Sequence, residues 1–282
     1  MKHILKYLLA AGLPLVSVAQ NMTTPIEKTP STTEHQWLYG VGHVSVLDTY
    51  LSPLTYSGPA ISVWHRSERL AHWGKGHVTV QGNFGGQGAY IAASADDDKA
   101  WDGHFNAGVA WHYNWYPTPQ LRLAAGGMAN LNLGFTYLLK SSNNPAQGRF
   151  STDLGFSGIA EQQFKLWQHP MLFRAQLDLP LLGAMFSPNY GQSYYEIFSL
   201  GHYDKNIRCT HPFNAPTARL ETTFRIPIAG ATLTFGYLGD VRQSQVNHLK
   251  HHAWNHNFVI GYVRQVQLLR PHKHPSIIQP CN

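Results

Sequence analysis

Residues 101–115 read Trp-Asp-Gly-His-Phe-Asn-Ala-Gly-Val-Ala-Trp-His-Tyr-Asn-Trp, and their side chains alternate in character. The odd-numbered positions are mostly apolar, with aromatic rings at both ends, and the even-numbered positions are polar or small. Because successive side chains of a β-strand point to opposite faces of the sheet, this alternation predicts a strand with one apolar and one polar face. An apolar face that ends in aromatic rings is typical of a strand that crosses a bilayer.

The same two-residue period recurs along the chain and predicts an antiparallel all-β fold. Long connections alternate with short ones, and the short ones contain the Gly or Pro that tight turns favour. Outer-membrane barrels have this asymmetry, with short periplasmic turns and longer outside loops. We therefore predict an up-and-down transmembrane β-barrel of about ten strands, within a range of roughly eight to twelve. The expected strands are 37–48, 60–72, 77–91, 101–117, 121–138, 150–167, 171–187, 214–228, 231–246 and 254–269.

The composition favours such a barrel over a soluble enzyme. The chain has 25 glycines and 12% aromatic residues, and its 13% of charged residues is about half the usual share. The formal net charge of +6 is modest and the basic residues form no run, so we do not expect nucleic acid as a partner. No apolar run is long enough for a spanning helix.

The ends of the sequence predict secretion and a periplasmic location for both termini. We expect a signal peptide at 1–19, a flexible periplasmic leader at 20–36, the barrel at 37–269 and a C-terminal tail at 270–282. An outer-membrane barrel contacts membrane lipid and lipopolysaccharide. Cys209 and Cys281 are predicted on opposite sides of the membrane, which disfavours a disulfide between them.

The polar face of the strands predicts a lumen filled with charges of both signs. An interior only slightly wider than that of an eight-strand barrel is filled by side chains, and unpaired charges there are costly. Opposite charges are therefore expected to pair, although a narrow polar path for a small solute remains open. The predicted lumen network contains Asp48, His104, His112, Arg122, Asp153, Glu161, Arg174, Asp178, Arg219, Glu221, Arg225, Asp240 and Arg242.

Two groups of residues are candidates for a metal site or a catalytic site. The cluster of His248, His251, His252 and His256, placed by the pattern in the last outside loop, is a weak candidate for a metal, because its spacing matches no established zinc pattern. His65 and Ser67, with Asp48 across a hairpin, are candidates for a lipid hydrolase, but i and i+2 positions of a strand are too far apart for a direct hydrogen bond. We expect no cofactor.

The longest connection, 188–213, is the expected docking surface. It carries Tyr190, Tyr194, Tyr195, Phe198 and Tyr203, aromatic residues that suit contact with an extracellular glycan or protein. The same rings also suit packing over the barrel mouth.

Several motifs at the two ends of the barrel resemble a known family. They are Tyr39-Gly40-Val41-Gly42, the stretch from Val46 to Gly58, Gly236-Tyr237-Leu238-Gly239-Asp240, the stretch from Asn247 to His256, and Phe258-Val259-Ile260-Gly261. The chain resembles an uncharacterised Bacteroidetes-type family of secreted proteins known as a domain of unknown function. The resemblance implies an outer-membrane barrel of a Gram-negative envelope, and it brings no activity and no catalytic residues.

Three functions follow from the sequence, in order of preference. The first is a structural, adhesion or partner-docking barrel whose lumen is filled by polar residues. The second is a narrow channel for small solutes. The third is a lipid-modifying hydrolase of the outer membrane, so an enzymatic role is the less favoured one.

Overall fold

A computed structural model describes residues 32–93, 98–140, 144–167, 169–228 and 231–267. The predicted signal peptide, the leader up to residue 31 and the predicted tail lie outside the described residues. The strands are β1 (Thr32–Asp48), β2 (Thr55–Leu70), β3 (Val78–Ala93), β4 (Lys99–Thr118), β5 (Leu121–Leu138), β6 (Ala146–Leu166), β7 (His169–Phe186), β8 (Ile207–Thr210), β9 (Thr217–Ile228), β10 (Ala231–Val246) and β11 (Leu249–Gln267), and the helix is α1 (Tyr194–Phe198).

Within the described ranges, ten strands close into an antiparallel barrel. Strands β1–β7 and β9–β11 each pair with both neighbours, and β11 pairs with β1 from Thr32↔Gln267 to Asp48↔His251. The short β8 pairs with the end of β7 and extends the sheet beyond the barrel wall. The predicted all-β, up-and-down barrel of about ten strands is confirmed.

The two ends of the barrel differ in their connections. The end that we call the long-loop end carries connections 49–54, 94–98, 139–145, 187–216 and 247–248. The opposite end, called the short-turn end, carries 71–77, 119–120, 167–168 and 229–230. All described helical structure lies in connection 187–216, and no described helix is long and apolar enough to cross a bilayer.

The alternation at 101–115 divides β4 into the two faces that it predicts. Trp101, Trp111 and Trp115 point out of the barrel and are 50%, 42% and 48% exposed. His104 and His112 point into the lumen and are 8% and 0% exposed. The outer face of β4 is therefore the apolar one.

The first strand begins earlier than the alternation predicts. Residues 32–36, which the sequence assigned to the leader, form the start of β1 and pair with β11 and β2. The alternation is absent there because both faces are polar: Glu34 and Gln36 point inwards, and Thr33 and His35 point outwards. Without an apolar face the two-residue contrast on which the prediction rests disappears.

The apolar residues of the inner face form two clusters, a small one of Leu38, Trp64, Leu238 and Val259 and a larger one near the long-loop end. The larger cluster fills that part of the barrel mouth, and two residues of connection 49–54 pack against it. Its buried members are Val44, Val46, Tyr56, Ala60, Ala89, Ile91, Ala93, Ala100, Leu138 and Ala253, and the two connection residues are Leu51 and Leu54.

Candidate functional site in the barrel lumen

The short-turn half of the lumen is filled by buried charged side chains, which we call the plug. They come from six of the ten wall strands, namely β1, β2, β5, β6, β7 and β9. Four arginines face four glutamates, which leaves the group formally neutral. The plug consists of Glu34, Arg66, Glu68, Arg122, Glu161, Arg174, Glu221 and Arg225.

Four ion pairs of the plug cross the lumen, whereas Glu161 on β6 pairs with Arg122 and Arg174 on the two neighbouring strands. Arg122 on β5 contacts Glu68 on β2 with an Nη2–Oε1 distance of 2.6 Å, and Arg66 on β2 contacts Glu221 on β9 at 2.6 Å. Arg225 on β9 reaches Glu34 on β1 at 2.9 Å. These strands are not paired with one another, so the side chains occlude the lumen.

Neutral side chains join the ion pairs into one network. Arg174 contacts Glu161 and Glu68, and it donates hydrogen bonds to Gln176 at 2.8 Å and to Gln81 at 3.2 Å. Gln176 also accepts from Arg66 at 3.0 Å, which links the two halves of the plug. A buried charge is tolerated only where partners compensate its lost hydration, and each arginine here has at least one carboxylate.

Arg122 is held from several directions. Its Nη1 lies 2.8 Å from Glu161, its Nε donates to Asn114 at 2.8 Å, and its Nη2 donates to Thr79 at 3.2 Å. The planar guanidinium presents five donors in a fixed fork, so these contacts fix its orientation.

Beyond the plug, the long-loop half of the lumen contains a partly open cavity of about 130 Å³. Strands β3–β11 line it, together with Ala215 of connection 187–216. The charged residues and histidines that line it are His104, Arg149, Asp153, Asp178, Arg219, Asp240, Arg242 and His251.

An arginine and two aspartates close one side of the cavity at the mouth. Arg149 contacts Asp48 at 2.7 Å and Asp102 at 3.0 Å, and it donates a hydrogen bond to Thr136 at 2.8 Å. Asp48 also accepts the backbone N–H of Tyr50 at 3.1 Å and so caps the turn after β1. The lumen and the first connection are thereby joined by one carboxylate.

A row of amides crosses the cavity wall from β3 to β6. Asn83 donates to Asn106 at 2.8 Å, and Asn106 donates to Asn132 at 2.9 Å. Asp153 accepts from Asn132 at 2.8 Å and from Asn130 at 2.9 Å. Asp153 therefore accepts hydrogen bonds from neutral donors, and its side chain faces the cavity.

Asp178, Ser157 and His112 form a contact group that resembles a catalytic set in composition only. Ser157 donates to Asp178 at 2.5 Å, and its Oγ lies 2.9 Å from the His112 Nε2. In a serine triad the carboxylate orients the imidazole, whereas here it binds the hydroxyl. Ser157 and His112 are both 0% exposed, so a substrate has no access to the hydroxyl.

The remaining charged residues of the cavity come from β9 and β10. The Arg219 guanidinium lies over the Trp64 ring, with its carbon 3.8 Å from the ring centroid. The Arg242 Nε lies 3.4 Å from the Asp240 carboxylate, a long contact between residues of one strand. These two arginines are held less tightly than the arginines of the plug.

The structure brings the predicted network residues together in two groups. Arg122, Glu161, Arg174, Glu221 and Arg225 belong to the plug. The others lie around the cavity or next to it: Asp48, His104, His112, Asp153, Asp178, Arg219, Asp240 and Arg242.

Five charged residues of the lumen escaped the sequence analysis. Glu34 lay in the predicted leader, and Arg149 lay one residue before the predicted start of its strand. Arg66 and Glu68 lie on β2, whose inner face also carries Trp64 and therefore lacks clear alternation. Asp102 is two residues from His104 on β4, so it points to the same inner face. This position in the alternation is the signal that could have identified it as a lumen residue.

The prediction that the histidine cluster lies in a loop is wrong. Asn247 and His248 form a two-residue turn with φ of 52° and 63°, and β11 starts at Leu249. His251 lines the cavity, whereas His256 contacts the Tyr237 hydroxyl at 2.5 Å on the outer face. Successive strand residues such as His251 and His252 point to opposite faces, so the four imidazoles do not converge. Among the described residues no group of three or more His, Cys, Asp or Glu side chains is arranged to hold a metal ion.

The proposed set of His65, Ser67 and Asp48 is also wrong. His65 pairs with Trp37, eleven residues from Asp48 on β1, which separates them by roughly 36 Å along the strand. His65 lies on the outer face between the rings of Trp37 and Phe84, while Asp48 is inside the lumen.

Connection 187–216 is folded rather than open. Helix α1 begins with a capping box in which Ser193 and Glu196 bind each other's backbone N–H groups. The Tyr194 hydroxyl donates to Gln147 at 2.7 Å and accepts the N–H of Gly148 at 2.7 Å, which ties the helix to β6. Partial burial raises the pKa of Tyr194 to about 12, so the neutral hydroxyl persists at physiological pH.

The other aromatic residues of this connection face outwards. Tyr190, Tyr195, Phe198 and Tyr203 are all exposed. Cys209, on β8, is exposed as well. Cys281 lies outside the described residues, so the prediction about its pairing stays a prediction.

The barrel resembles outer-membrane proteins of known structure. The outer membrane protease OmpT from Escherichia coli matches with a TM-score of 0.54 at 7% identity, over 85% of this chain and 98% of that chain. Ail, the attachment invasion locus protein of Yersinia pestis, matches with a TM-score of 0.32 at 11% identity, over 82% and 99%. The likeness to OmpT shows the outer-membrane type of fold and nothing about activity.

The sequence itself matches one family model. A model described as a protein of unknown function, DUF3316, matches residues 5–273. No curated protein matches the sequence.

Proposed function

The chain belongs to the DUF3316 family of proteins of unknown function, and from its geometry we propose a non-conducting outer-membrane barrel that docks a partner at its long-loop end. The single observation that carries the proposal is the plug, four of whose ion pairs cross the lumen. It favours a closed barrel over the alternative of a narrow channel.

The proposed orientation follows the asymmetry of the connections. Short turns face the periplasm in outer-membrane barrels, and longer loops face outwards. The short-turn end, where β1 begins and β11 ends, is then periplasmic, and both termini lie on that side. This orientation implies secretion by a signal peptide in a Gram-negative envelope. The Bacteroidetes origin implied by the resemblance stays a prediction.

The docking surface proposed is connection 187–216, and its partner is an extracellular glycan or protein. Four exposed aromatic residues lie on a segment that is anchored rather than loose. Asn247 donates hydrogen bonds to the carbonyls of Ser187 and Lys205, both at 3.0 Å, so the segment is fixed at both ends of α1. A fixed segment loses little conformational entropy on binding, which favours affinity.

Planar-bilayer recording tests whether the barrel is closed. The purified, refolded protein is expected to give no ion-conducting steps. A variant with Arg66→Ala, Arg122→Ala and Arg174→Ala removes three of the four arginines of the plug and is expected to conduct. Regular steps from the unmodified protein would contradict the proposal.

Glycan arrays and binding to intact host cells test the docking surface. Replacing Tyr190, Tyr195 and Tyr203 by Ser is expected to weaken binding at least about tenfold, since aromatic anchors carry much of an interface's affinity. Trp167→Ser, at the short-turn end, removes an exposed ring away from the surface and is the control. Equal binding by the triple variant and the control would exclude connection 187–216 as the docking surface.

A further inference from the structure

The proposed docking through connection 187–216 does not explain the cavity in the long-loop half of the lumen. Its volume of about 130 Å³ holds roughly ten water molecules. That is room for a small polar solute. The lining contains both cationic and anionic groups, so the chemistry of these groups determines which solute fits.

Two guanidinium groups in the cavity have donors left over. In the described part of the chain, Arg219 has no carboxylate within 4.0 Å, and its contact is with the Trp64 ring. Arg242 makes only its long contact with Asp240, and its buried Nη2 has no hydrogen-bond partner among the described residues. Every arginine of the plug, by contrast, contacts a carboxylate at 2.9 Å or less.

Two histidines lie in the same cavity. His104 comes from β4 and His251 from β11, and the buried Nε2 of His251 has no partner within the described ranges. An imidazole nitrogen either donates or accepts a hydrogen bond, so both rings suit an oxygen of a bound solute.

The β5–β6 side of the cavity has a different chemistry. Asp153, Asn130, Asn132 and Ser151 supply a carboxylate, amides and a hydroxyl from two paired strands. Asp153 accepts hydrogen bonds from the neutral amides of Asn130 and Asn132, and within the described residues no cationic side chain forms an ion pair with it. Carboxylate and amide oxygens accept hydrogen bonds from hydroxyl groups.

We propose that this cavity binds a monosaccharide-sized, hydroxyl-rich solute that carries one acidic group. The carboxylate or phosphate of the solute contacts Arg219 and Arg242, because guanidinium groups bind these anions with two parallel hydrogen bonds. The hydroxyl groups contact Asp153 and the neighbouring amides. The proposed ligand residues lie inside the barrel and outside connection 187–216, although Thr210 and Ala215 of that connection also line the cavity. Solute binding and docking are therefore tested by different variants.

Isothermal titration calorimetry on the full-length protein refolded in detergent tests the proposal. The probes are glucuronate, glucose 6-phosphate and glucose, which share a ring and differ in the acidic group. At least one acid is expected to bind about tenfold or more tightly than glucose, and the preferred acid identifies the carboxylate or the phosphate as the ligand group. Equal affinity for all three probes, or binding of none up to about 10 mM, would overturn it.

Variants then locate the site. Arg219→Gln and Arg242→Gln are each expected to reduce the preference for the acid at least about fivefold. Arg208→Gln, an exposed arginine on β8, makes the same charge change outside the cavity and is expected to have no effect. If Arg219→Gln fails to refold, Arg242→Gln decides. An unchanged preference in the folded variants would exclude the cavity as the site.

Discussion

The guanidinium of Arg174 lies at the centre of the plug and is 1% exposed. Its Nη1 and Nη2 contact two glutamates and two glutamines, which replace the lost hydration of these two nitrogens. A cation in this position is stable only while its partners remain, and its partners depend on it in the same way.

Removing that charge tests the energetic role of the plug. Arg174→Met is expected to lower the free energy of unfolding by about 3–5 kcal/mol, because Glu68 and Glu161 then lie buried with less compensation. Urea unfolding in lipid vesicles measures the change. Arg208→Met is the exposed control and is expected to stay within about 0.5 kcal/mol. A loss no larger than that of the control would show that the plug contributes little to stability.

A second residue-scale prediction concerns pH and Glu196, which is outside the barrel wall. Hydrogen bonds from the Ser193 backbone N–H and hydroxyl, at 2.7 and 3.0 Å, hold the pKa of this carboxyl below its usual value of 4.5. Because the folded-state pKa is lowered, the ionised carboxyl stabilises α1 fully above the unfolded-state pKa. That stabilisation is lost as the pH falls through the folded-state pKa.

Hydrogen exchange of the α1 amides measures this effect. Protection factors corrected for intrinsic exchange are expected to be higher at pH 6 than at pH 3. In Glu196→Gln, which has no titrating carboxyl, the two values should agree. The same drop in the variant would assign the pH dependence to another group.

At the scale of elements, the turn between β10 and β11 explains why the last strand is longer than predicted. Asn247 and His248 both have positive φ, which two-residue hairpin turns of type I′ require. Such turns usually have glycine at the second position, whereas this one has histidine. The sequence therefore lacks the usual hairpin signal, and the histidine-rich stretch resembles a loop. Pairing with β1 and β10 overrides that local signal.

Glycine at the second turn position is expected to stabilise the hairpin. A non-glycine residue at φ 63° is strained, and His248→Gly relieves that strain, for a gain of about 0.5–1 kcal/mol. Urea unfolding measures it. Lys250→Gly, two residues further in the extended part of β11, is the control and is expected to destabilise by a similar amount. A loss of stability in both variants would contradict the strain assigned to His248.

The elements that sequence analysis located well are those with a strong contrast between faces. Strands β4 and β5 are apolar outside and polar inside, and their observed bounds lie within two residues of the prediction. The prediction starts β1 and β2 five residues too late, because residues 32–36 and 55–59 are mostly polar or small and show no contrast between faces. Strand starts without an apolar outer face lack the two-residue period that identifies a strand.

At the scale of the whole molecule, continuous pairing around the wall and cross-lumen ion pairs join the strands into one cooperative unit. The purified protein is expected to migrate faster on gels when unheated than after boiling, because the closed barrel stays compact in detergent. Gel migration after extraction of outer membranes measures this. Recovery of the protein in the soluble periplasmic fraction would contradict the membrane location.

The sequence by itself determined the barrel, its strand number and the apolar outer face, because a two-residue period and alternating connections are local properties of the chain. It also identified five members of the plug by parity. Only the tertiary structure decided which charges meet. Arg122 and Glu68 are 54 positions apart on strands that do not pair, and only the closed wall brings them across the lumen. Closure of the wall also determines which inner side chains lie at the same height along the barrel axis. It therefore places the plug in the short-turn half and the cavity in the long-loop half.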